Sequence, residues 1–263
     1  MLFCIDIGNT NTVLGLAEGD RIIGHWRIRT EREITSDELA VLVSNLFQCS
    51  GFAMKQVDAV IISCVVPPFL NTVVKFSRKY FSIDPMLVGP DLDTGIMLRH
   101  ENKYEVGADR IVNAVAAFSK YEAPLIVVDF GTATTFDYVS RSGEYLGGVI
   151  APGVMISSEA LFRHASRLPR VEIFARPGKV IATDTVSCMN AGIIFGYAGL
   201  VDGIIRRMRA EAGEDSFVLA TGGLAPLICG VSDTVRHVDE LLTLEGLMIV
   251  YDRNKTELQT QQV

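Results

Sequence analysis

The sequence predicts an α/β protein made of two similar halves. Its 263 residues are 49% hydrophobic and the mean hydropathy is +0.30, which provides a large core and argues against a disordered chain. Residues 2–10 align without a gap with residues 125–133, and both segments read as an apolar strand that runs into an Asp-x-Gly turn. Residues 22–24 align with residues 145–147 at the same offset of 123 (145 minus 22). The shared offset favours internal duplication over coincidence.

The first half is predicted to contain a β-meander followed by a β-α-β unit. Ser36 is a good N-cap for a helix, and the β-branched run before Pro67 is typical of a parallel strand that is covered on both faces. The predicted elements are strands near 2–7, 12–17 and 21–29, a helix over 36–49, a strand over 58–66, a helix from 67 to about 80 and a short strand at 86–88.

The second half repeats this plan, and a helix that begins near Gly107 joins the halves. We therefore expect two domains, residues 1–118 and 119–263. The predicted elements of the second half are strands near 124–130, 133–139 and 144–150, then helical segments, a strand at 217–220 and a terminal helix from about 241.

One predicted helix carries glycines along a single face. Gly192, Gly196, Gly199 and Gly203 recur at spacings of 4, 3 and 4 residues. Because glycine costs about 1 kcal/mol in a helix, this pattern indicates a backbone that lies close to another element. Tight packing inside the subunit and a dimer interface both explain it.

Charge and composition exclude several classes of protein. The formal charge is −7 and no basic run is present, so we expect no nucleic-acid partner. Charges, glycines and prolines interrupt the apolar stretches, so we expect no membrane span, and the N-terminus lacks the basic region of a signal peptide. The five scattered cysteines indicate buried free thiols in a reducing cytoplasm.

Two similar turns are the first candidates for ligand binding. Gly8 permits a tight turn with accessible backbone N–H groups, the Thr10 and Thr12 hydroxyls add donors, and the Asp6 carboxylate is placed to hold a hydrated Mg²⁺. An ordinary Asn/Gly hairpin is the alternative. The turn at residues 129–135 repeats the device, and two such turns facing across a cleft could grip one polyphosphate. No GxxxxGK[ST] loop is present.

Two further segments suggest a catalytic site. Asp109 lies in the first turn of the joining helix, where the helix dipole favours a carboxylate without any function. The functional interpretation is a general base that takes a proton from an acceptor hydroxyl, with Arg110 meeting an anionic part of the substrate. Gly222 and Gly223 follow an apolar strand, either as a plain turn or as a surface for the adenosine of a nucleotide.

Together these motifs resemble a type III pantothenate kinase over nearly the whole chain. The resemblance rests on the turns at 6–12 and 129–135, Gly-Ala-Asp-Arg at 107–110, Gly-Gly-Val-Ile-Ala-Pro-Gly at 147–153, Thr-Gly-Gly at 221–223 and Leu-Thr-Leu-Glu-Gly-Leu at 242–247. It implies two tandem ribonuclease H-like (actin-like ATPase) domains with mixed five-stranded sheets and ATP in the cleft between them.

The resemblance also implies a function. This is the ATP-dependent phosphorylation of the pantothenate 4′-hydroxyl, the entry step of coenzyme A synthesis, by a cytoplasmic homodimer that uses Mg²⁺ and a monovalent cation such as K⁺ or NH₄⁺. Another small-molecule kinase of the acetate and sugar kinase, Hsp70 and actin superfamily, or a non-catalytic nucleotide-binding regulator, is the alternative.

The implied site residues can be named by position. Asp109 matches the catalytic base, and Asp129 matches the monovalent-cation ligand. Thr185 matches a threonine that reaches pantothenate from the partner subunit, although Thr183 fits the same role. The implied ATP-binding residues are Asp6, Ile7, Gly8, Asn9, Thr10, Asn11, Thr12, Val13 and Thr132, with Gly222 and Gly223 from the turn argued above. The implied pantothenate-binding residues are Gly107, Ala108, Asp109, Arg110 and Thr185.

One substrate position departs from the family pattern. The family has a tyrosine seven residues before the first glycine of Gly-Ala-Asp-Arg, and this sequence has His100 there. Tyr104 is nearby, but it would need a local rearrangement to take that place. We therefore assign His100 to the pantothenate site, where a changed affinity or substrate preference is expected.

Overall fold

The computed structural model describes residues 1–173 and 175–261, and the chain forms two compact units. The first comprises Met1–Ser119 together with the segment that begins at Leu242, and the second comprises Lys120–Leu241. The predicted boundary at 118/119 lies beside this division. The C-terminal segment, expected in the second domain, instead belongs to the first.

Most predicted elements are present at close to their predicted bounds, and the short strands β6 and β11 are additional. The strands are β1 (Leu2–Ile7), β2 (Asn11–Glu18), β3 (Arg21–Arg29), β4 (Ala59–Cys64), β5 (Met86–Leu87), β6 (Met97–Leu98), β7 (Leu125–Phe130), β8 (Ala133–Val139), β9 (Glu144–Pro152), β10 (Phe217–Thr221) and β11 (His237–Val238). The helices are α1 (Ser36–Cys49), α2 (Pro67–Phe76), α3 (Ala108–Lys120), α4 (Val154–His164), α5 (Thr185–Ala212), α6 (Ala225–Cys229) and α7 (Leu242–Gln261).

The first unit contains a mixed sheet in the order β3-β2-β1-β4-β5. Its central strand β1 is antiparallel to β2 and parallel to β4. Alternate residues of β1, including Phe3 and Ile5, form one core with Phe47 of α1 and Phe69 of α2. One face of the sheet is thus covered by α1 and α2, as expected for a buried parallel strand pair.

The C-terminal helix α7 packs on the other side of β2, which explains why it joins the first unit. Leu244 lies against Gly15, where an added Cβ would come within 2.9 Å of the leucine side chain. The Thr243 hydroxyl donates a 2.7 Å hydrogen bond to Asn113 Oδ1 of α3. Gly246 lies so close to the Val112 carbonyl that no side chain fits there.

The second unit repeats the arrangement, with its strands in the order β11-β10-β7-β8-β9. Its central strand β7 is antiparallel to β8 and parallel to β10, as β1 is to β2 and β4. Ile126 and Val128 of β7 form a core with Ile194 and Val201 of α5. The predicted pair of homologous α/β units is therefore confirmed.

The strand registers correct the gapless alignment in one place. The first hairpin pairs Ile7 with Thr12, whereas the second pairs Phe130 with Thr134. The second turn is thus one residue shorter, and Thr134, not Thr135, is the structural counterpart of Thr12. The third strands return to the original offset, because four residues separate the paired Ala17 and Ile22, whereas five separate the paired Val139 and Tyr145. Both hairpins also share a bulge, whose extra residue is Ile23 in β3 and Leu146 in β9.

Helix α5 departs from two expectations. Within the described residues it is the one helix that is long and apolar enough to cross a membrane, so the expectation that every apolar stretch is too short is wrong here. Glycines do not interrupt a helix that is supported by packing, and half of the apolar window of α5 is buried in the structure.

The glycine face of α5 is open. A Cβ added at Gly192, Gly196 or Gly199 would meet no described atom within 4 Å beyond the neighbouring residues and backbone of its own helix. The interpretation of tight packing inside the subunit is therefore wrong for these three positions.

The five cysteines are free, as predicted. Cys4 is buried in the sheet, but Cys49 and Cys188 are exposed, so the expectation that all the thiols are buried is wrong. Cys64 and Cys229 are intermediate, and burial raises the pKa of the Cys229 thiol to about 12.

Candidate active site

The first turn lies between the central strand β1 and β2. Asp6 stands near the end of β1 with its side chain partly buried, and Ile7 next to it is part of the core. The Gly8 N–H donates to the Asn11 carbonyl at 3.1 Å and closes the turn, while Asn9 and Thr10 are exposed. Their backbone and side chains are therefore accessible to a ligand.

Thr12 does not play the role that the sequence suggested for its side chain. It is 1% exposed, and its hydroxyl lies 2.9 Å from the hydroxyl of Thr30, which follows β3. Because the Thr12 hydroxyl is buried, it is not accessible as a hydrogen-bond donor to a ligand. Val13, the next residue on β2, is only partly exposed. Sequence reasoning missed Thr30, whose signal was its place at the end of the third strand.

Asp109 lies in the first turn of α3. The Ile111 N–H donates to the Gly107 carbonyl at 3.1 Å in the same turn. A Cβ at Gly107 would lie 2.5 Å from Asp109 Oδ1, so glycine leaves room for the carboxylate. Burial raises the pKa of Asp109, and the hydrogen bond from the Arg110 N–H (2.8 Å) and the Arg110 charge oppose that rise. Ala108 is buried.

The charges of Asp109 and Asp6 both affect the pKa of the Cys64 thiol. Burial raises the pKa of Cys64, at the end of β4, and the charges of Asp6 and Asp109 raise it further. The register pairs Asp6 with Ser63, whose buried hydroxyl has no hydrogen-bond partner among the described residues. The Asp6 carboxylate and the Ser63 hydroxyl beside it are oxygen groups of the kind that fit a hydrated Mg²⁺.

The second turn begins at Asp129, near the end of β7. The turn that follows β10 packs against Asp129 and Phe130. Gly222 has a φ of +92°, and its added Cβ would lie 2.6 Å from Asp129 Oδ1 and 2.7 Å from the Phe130 carbonyl oxygen. Glycine is therefore required for both backbone conformation and space. A carboxylate and a carbonyl in one place are ligands that fit a monovalent cation.

The rest of the second turn contacts the end of β9. Gly153 lies against the Thr132 carbonyl so closely that a Cβ would overlap it. Thr132 is partly exposed, and Gly223 is exposed beside Gly222. The structure thus brings Asp129, Gly222 and the turn carbonyls together within the second unit.

The substrate segment before α3 has its own contacts. His100 Nδ1 lies 3.0 Å from the Asn102 carbonyl. Tyr104 is 65% exposed, and its hydroxyl donates to Asp91 Oδ1 at 3.1 Å. The Asp91 carboxylate thus fixes the Tyr104 hydroxyl in this structure, and whether Tyr104 takes the place of the family's tyrosine stays a prediction.

Thr185 is the first residue of α5 and is exposed. Asp184 before it caps the helix by accepting the Ser187 N–H at 2.9 Å. Thr183 is exposed as well. Both hydroxyls are therefore accessible on the surface, and the choice between them stays open.

Two mixed sheets, each with an aspartate near the end of its central strand and a glycine turn beside it, define the acetate and sugar kinase, Hsp70 and actin fold. Solved structures agree. A Campylobacter jejuni protein described as a Baf family transcriptional activator has a TM-score of 0.61 at 18% identity, covering 97% of this chain and 99% of that one. A Porphyromonas gingivalis protein described as an N-acetylglucosamine kinase has a TM-score of 0.51 at 14% identity, covering 97% and 100%. These likenesses show the fold.

Sequence comparison identifies the family within that fold. The profile of the type III pantothenate kinases matches residues 2–207. A relative named type III pantothenate kinase, from Syntrophobacter fumaroxidans (strain DSM 10017 / MPOB), is 58% identical over 255 residues, which are 97% of this chain and 99% of the relative. The chain belongs to the type III pantothenate kinase family, and the resemblance seen in its motifs is confirmed.

Proposed function

We propose that this chain transfers the γ-phosphoryl group of ATP to the 4′-hydroxyl of pantothenate, the first step of coenzyme A biosynthesis. Membership in the type III pantothenate kinase family supports this activity. The observation that carries the mechanism is the position of the Asp109 carboxylate in the first turn of α3. The charges of Asp109 and Asp6 both raise the pKa of the Cys64 thiol.

Asp109 is the proposed general base. It accepts the proton of the 4′-hydroxyl as the hydroxyl oxygen bonds to phosphorus and the bond from phosphorus to the leaving ADP oxygen breaks. Burial raises its pKa, which makes its ionised form a stronger base than an ordinary aspartate. Arg110, next to it, pairs with the pantothenate carboxylate, and Gly107, Ala108 and His100 complete the substrate segment.

The phosphates of ATP bind to the first turn, Asp6 to Val13, through backbone N–H groups and the exposed polar side chains of Asn9, Thr10 and Asn11. Thr132, Gly222 and Gly223 provide further ATP contacts. Asp6 would hold the Mg²⁺ of Mg·ATP through water, and when bound this cation would supply charge neutralisation for the transferred group. Asp129 is the proposed ligand of K⁺ or NH₄⁺.

The open glycine face of α5 supports a homodimer in which Thr185 reaches the pantothenate of the partner subunit. Gly196→Leu would fill this face with a side chain that no described atom of the same chain opposes. We expect it to shift the particle mass from dimer to monomer in light scattering and to raise the KM for pantothenate. A dimer that persists at low micromolar concentration would contradict this assignment.

We place the enzyme in the cytoplasm. Its reaction consumes ATP, and its five cysteines are free, as expected in a reducing compartment.

A panel of acceptors tests the activity. Pantothenate, acetate and several sugars are each incubated with ATP, with and without K⁺, and ADP release is followed by a coupled assay while phosphorus NMR identifies the product. We expect turnover with pantothenate and activation by K⁺. Preference for acetate or a sugar would favour another kinase of the superfamily, and ATP binding without any phosphorylation would favour a regulator.

His100→Tyr in the same assay measures what the departure at this position does to the KM for pantothenate.

A further inference from the structure

Thr30, the residue after β3, makes three hydrogen bonds to the first turn. Its hydroxyl donates to the Gly8 carbonyl at 2.6 Å and lies 2.9 Å from the Thr12 hydroxyl. Its backbone N–H donates to the Thr10 carbonyl at 3.0 Å. One residue outside the turn therefore contacts its beginning, its middle and the first buried residue after it.

These bonds turn carbonyl oxygens towards the protein. Gly8 and Thr10 carbonyls accept from Thr30, and the Asn11 carbonyl accepts from Gly8 N–H. Carbonyl oxygens repel phosphate oxygens, so a turn that binds phosphate through N–H groups needs its carbonyls engaged elsewhere. Thr30 satisfies two of these three carbonyls.

The second unit shows that the fold itself does not require this threonine. Gly153 occupies the position of Thr30 at the offset of 123 (153 minus 30) and has no side chain. Thr134, the counterpart of Thr12, has a buried hydroxyl with no hydrogen-bond partner among the described residues. The hydroxyl brace is therefore specific to the first turn.

We propose that Thr30 is a positioning residue for ATP, which sets the conformation of the phosphate-binding turn through its hydroxyl. The proposal rests on the assignment of this turn to the ATP phosphates. It predicts that the hydroxyl, and not the β-branched methyl, controls the affinity for Mg·ATP.

Thr30→Val and Thr30→Ser separate the hydroxyl from the methyl group. The steady-state KM for each substrate is measured together with calorimetric binding of Mg·ATP, which does not depend on the acceptor. We expect Thr30→Val to raise the Kd and KM for Mg·ATP about tenfold, because the net value of such hydrogen bonds corresponds to about one factor of ten. The KM for pantothenate should stay within about twofold of wild type, and Thr30→Ser should bind Mg·ATP within the same margin.

Ser77→Ala is the matched control. The buried Ser77 hydroxyl donates to the Ile83 carbonyl at 2.7 Å, so its loss removes the same kind of bond in the same unit, away from the turn. We expect it to lower stability without changing the Kd for Mg·ATP. If Thr30→Val does not fold, Thr30→Cys, a weaker donor of similar size, should give an intermediate rise.

Three results would overturn the proposal. They are an unchanged Kd in Thr30→Val, a loss in Thr30→Ser as large as in Thr30→Val, or an equal loss in Ser77→Ala. Failure of the pantothenate assay in wild type that still binds Mg·ATP would count against the proposed activity and not against Thr30.

Discussion

The two aspartate-and-glycine turns have similar sequences but are held in different ways. The first is four residues long between Ile7 and Thr12, and the Thr30 side chain braces it. The second is one residue shorter, and the backbone of Gly153 packs directly on it. The first can therefore be tuned by a hydroxyl group, while the second tolerates no side chain at the equivalent position.

The surroundings of the two acids differ in the same way. Asp6 has Ser63 beside it in the neighbouring strand, and its charge, like that of Asp109, raises the pKa of the Cys64 thiol. Asp129 has Thr221 beside it, followed by Gly222, which lies close to the Asp129 carboxylate and the Phe130 carbonyl. The two halves thus share one scaffold but place different residues around their aspartates.

The largest expected effect comes from removing the close contact in the second turn. Gly153→Ala would place a Cβ on the Thr132 carbonyl, and since backbone atoms must move to accept it, we expect a loss of about 3 kcal/mol in the free energy of unfolding. Chemical denaturation measures this loss. Gly178→Ala, whose Cβ would meet nothing within 4 Å, is the control and should stay within about 0.5 kcal/mol of wild type. Equal stability of the two variants would show that the second turn is not closely packed.

A smaller effect concerns the charge of Asp109. Its pKa is raised by burial above the usual value near 3.9, so its contribution to stability is full below that pH and is lost as the pH rises through the folded-state pKa. We therefore expect Asp109→Asn to be at least as stable as wild type at pH 8 and to lose that advantage towards pH 4. Unfolding curves at a series of pH values measure the difference. A variant that is less stable at pH 8 than at pH 4, relative to wild type, would contradict the burial argument.

The smallest effect separates the two buried threonines. Thr12→Val removes the partner of the Thr30 hydroxyl and should cost about 1 kcal/mol. Thr134→Val removes a buried hydroxyl without a partner among the described residues, so its cost should be about zero, or stability should rise. Urea denaturation of both variants tests the difference, and equal costs would contradict the comparison of the turns.

The sequence predicts the fold well because its signals are local. The paired prolines at 67 and 68 and the duplicated strands define most elements, and these agree with the structure. Helix α1 begins at Ser36 as predicted, but its N-cap is Thr35, whose hydroxyl accepts the Glu38 N–H at 3.2 Å, and not Ser36. The placement of α7 could not be predicted, because it depends on side-chain contacts such as Leu244 with Gly15 that lie far apart in the chain.

The site was predictable in its residue types but not in its contacts. The motifs identify Asp6, Asp109 and Asp129, which lie near strand or helix ends as expected. Thr30 belongs to no motif, and the one-residue difference between the turns is visible only in the strand registers. The burial of Thr12 is a consequence of that tertiary packing.

Turnover of pantothenate by wild type and Asp109→Asn, measured beside calorimetric binding of Mg·ATP, tests the central claim most directly. Because a positioned general base contributes about 10²-fold to 10⁴-fold, we expect turnover to fall by at least about 10²-fold while the Kd for Mg·ATP stays within about twofold. Turnover of the variant within about threefold of wild type would contradict the assignment of Asp109 as the base.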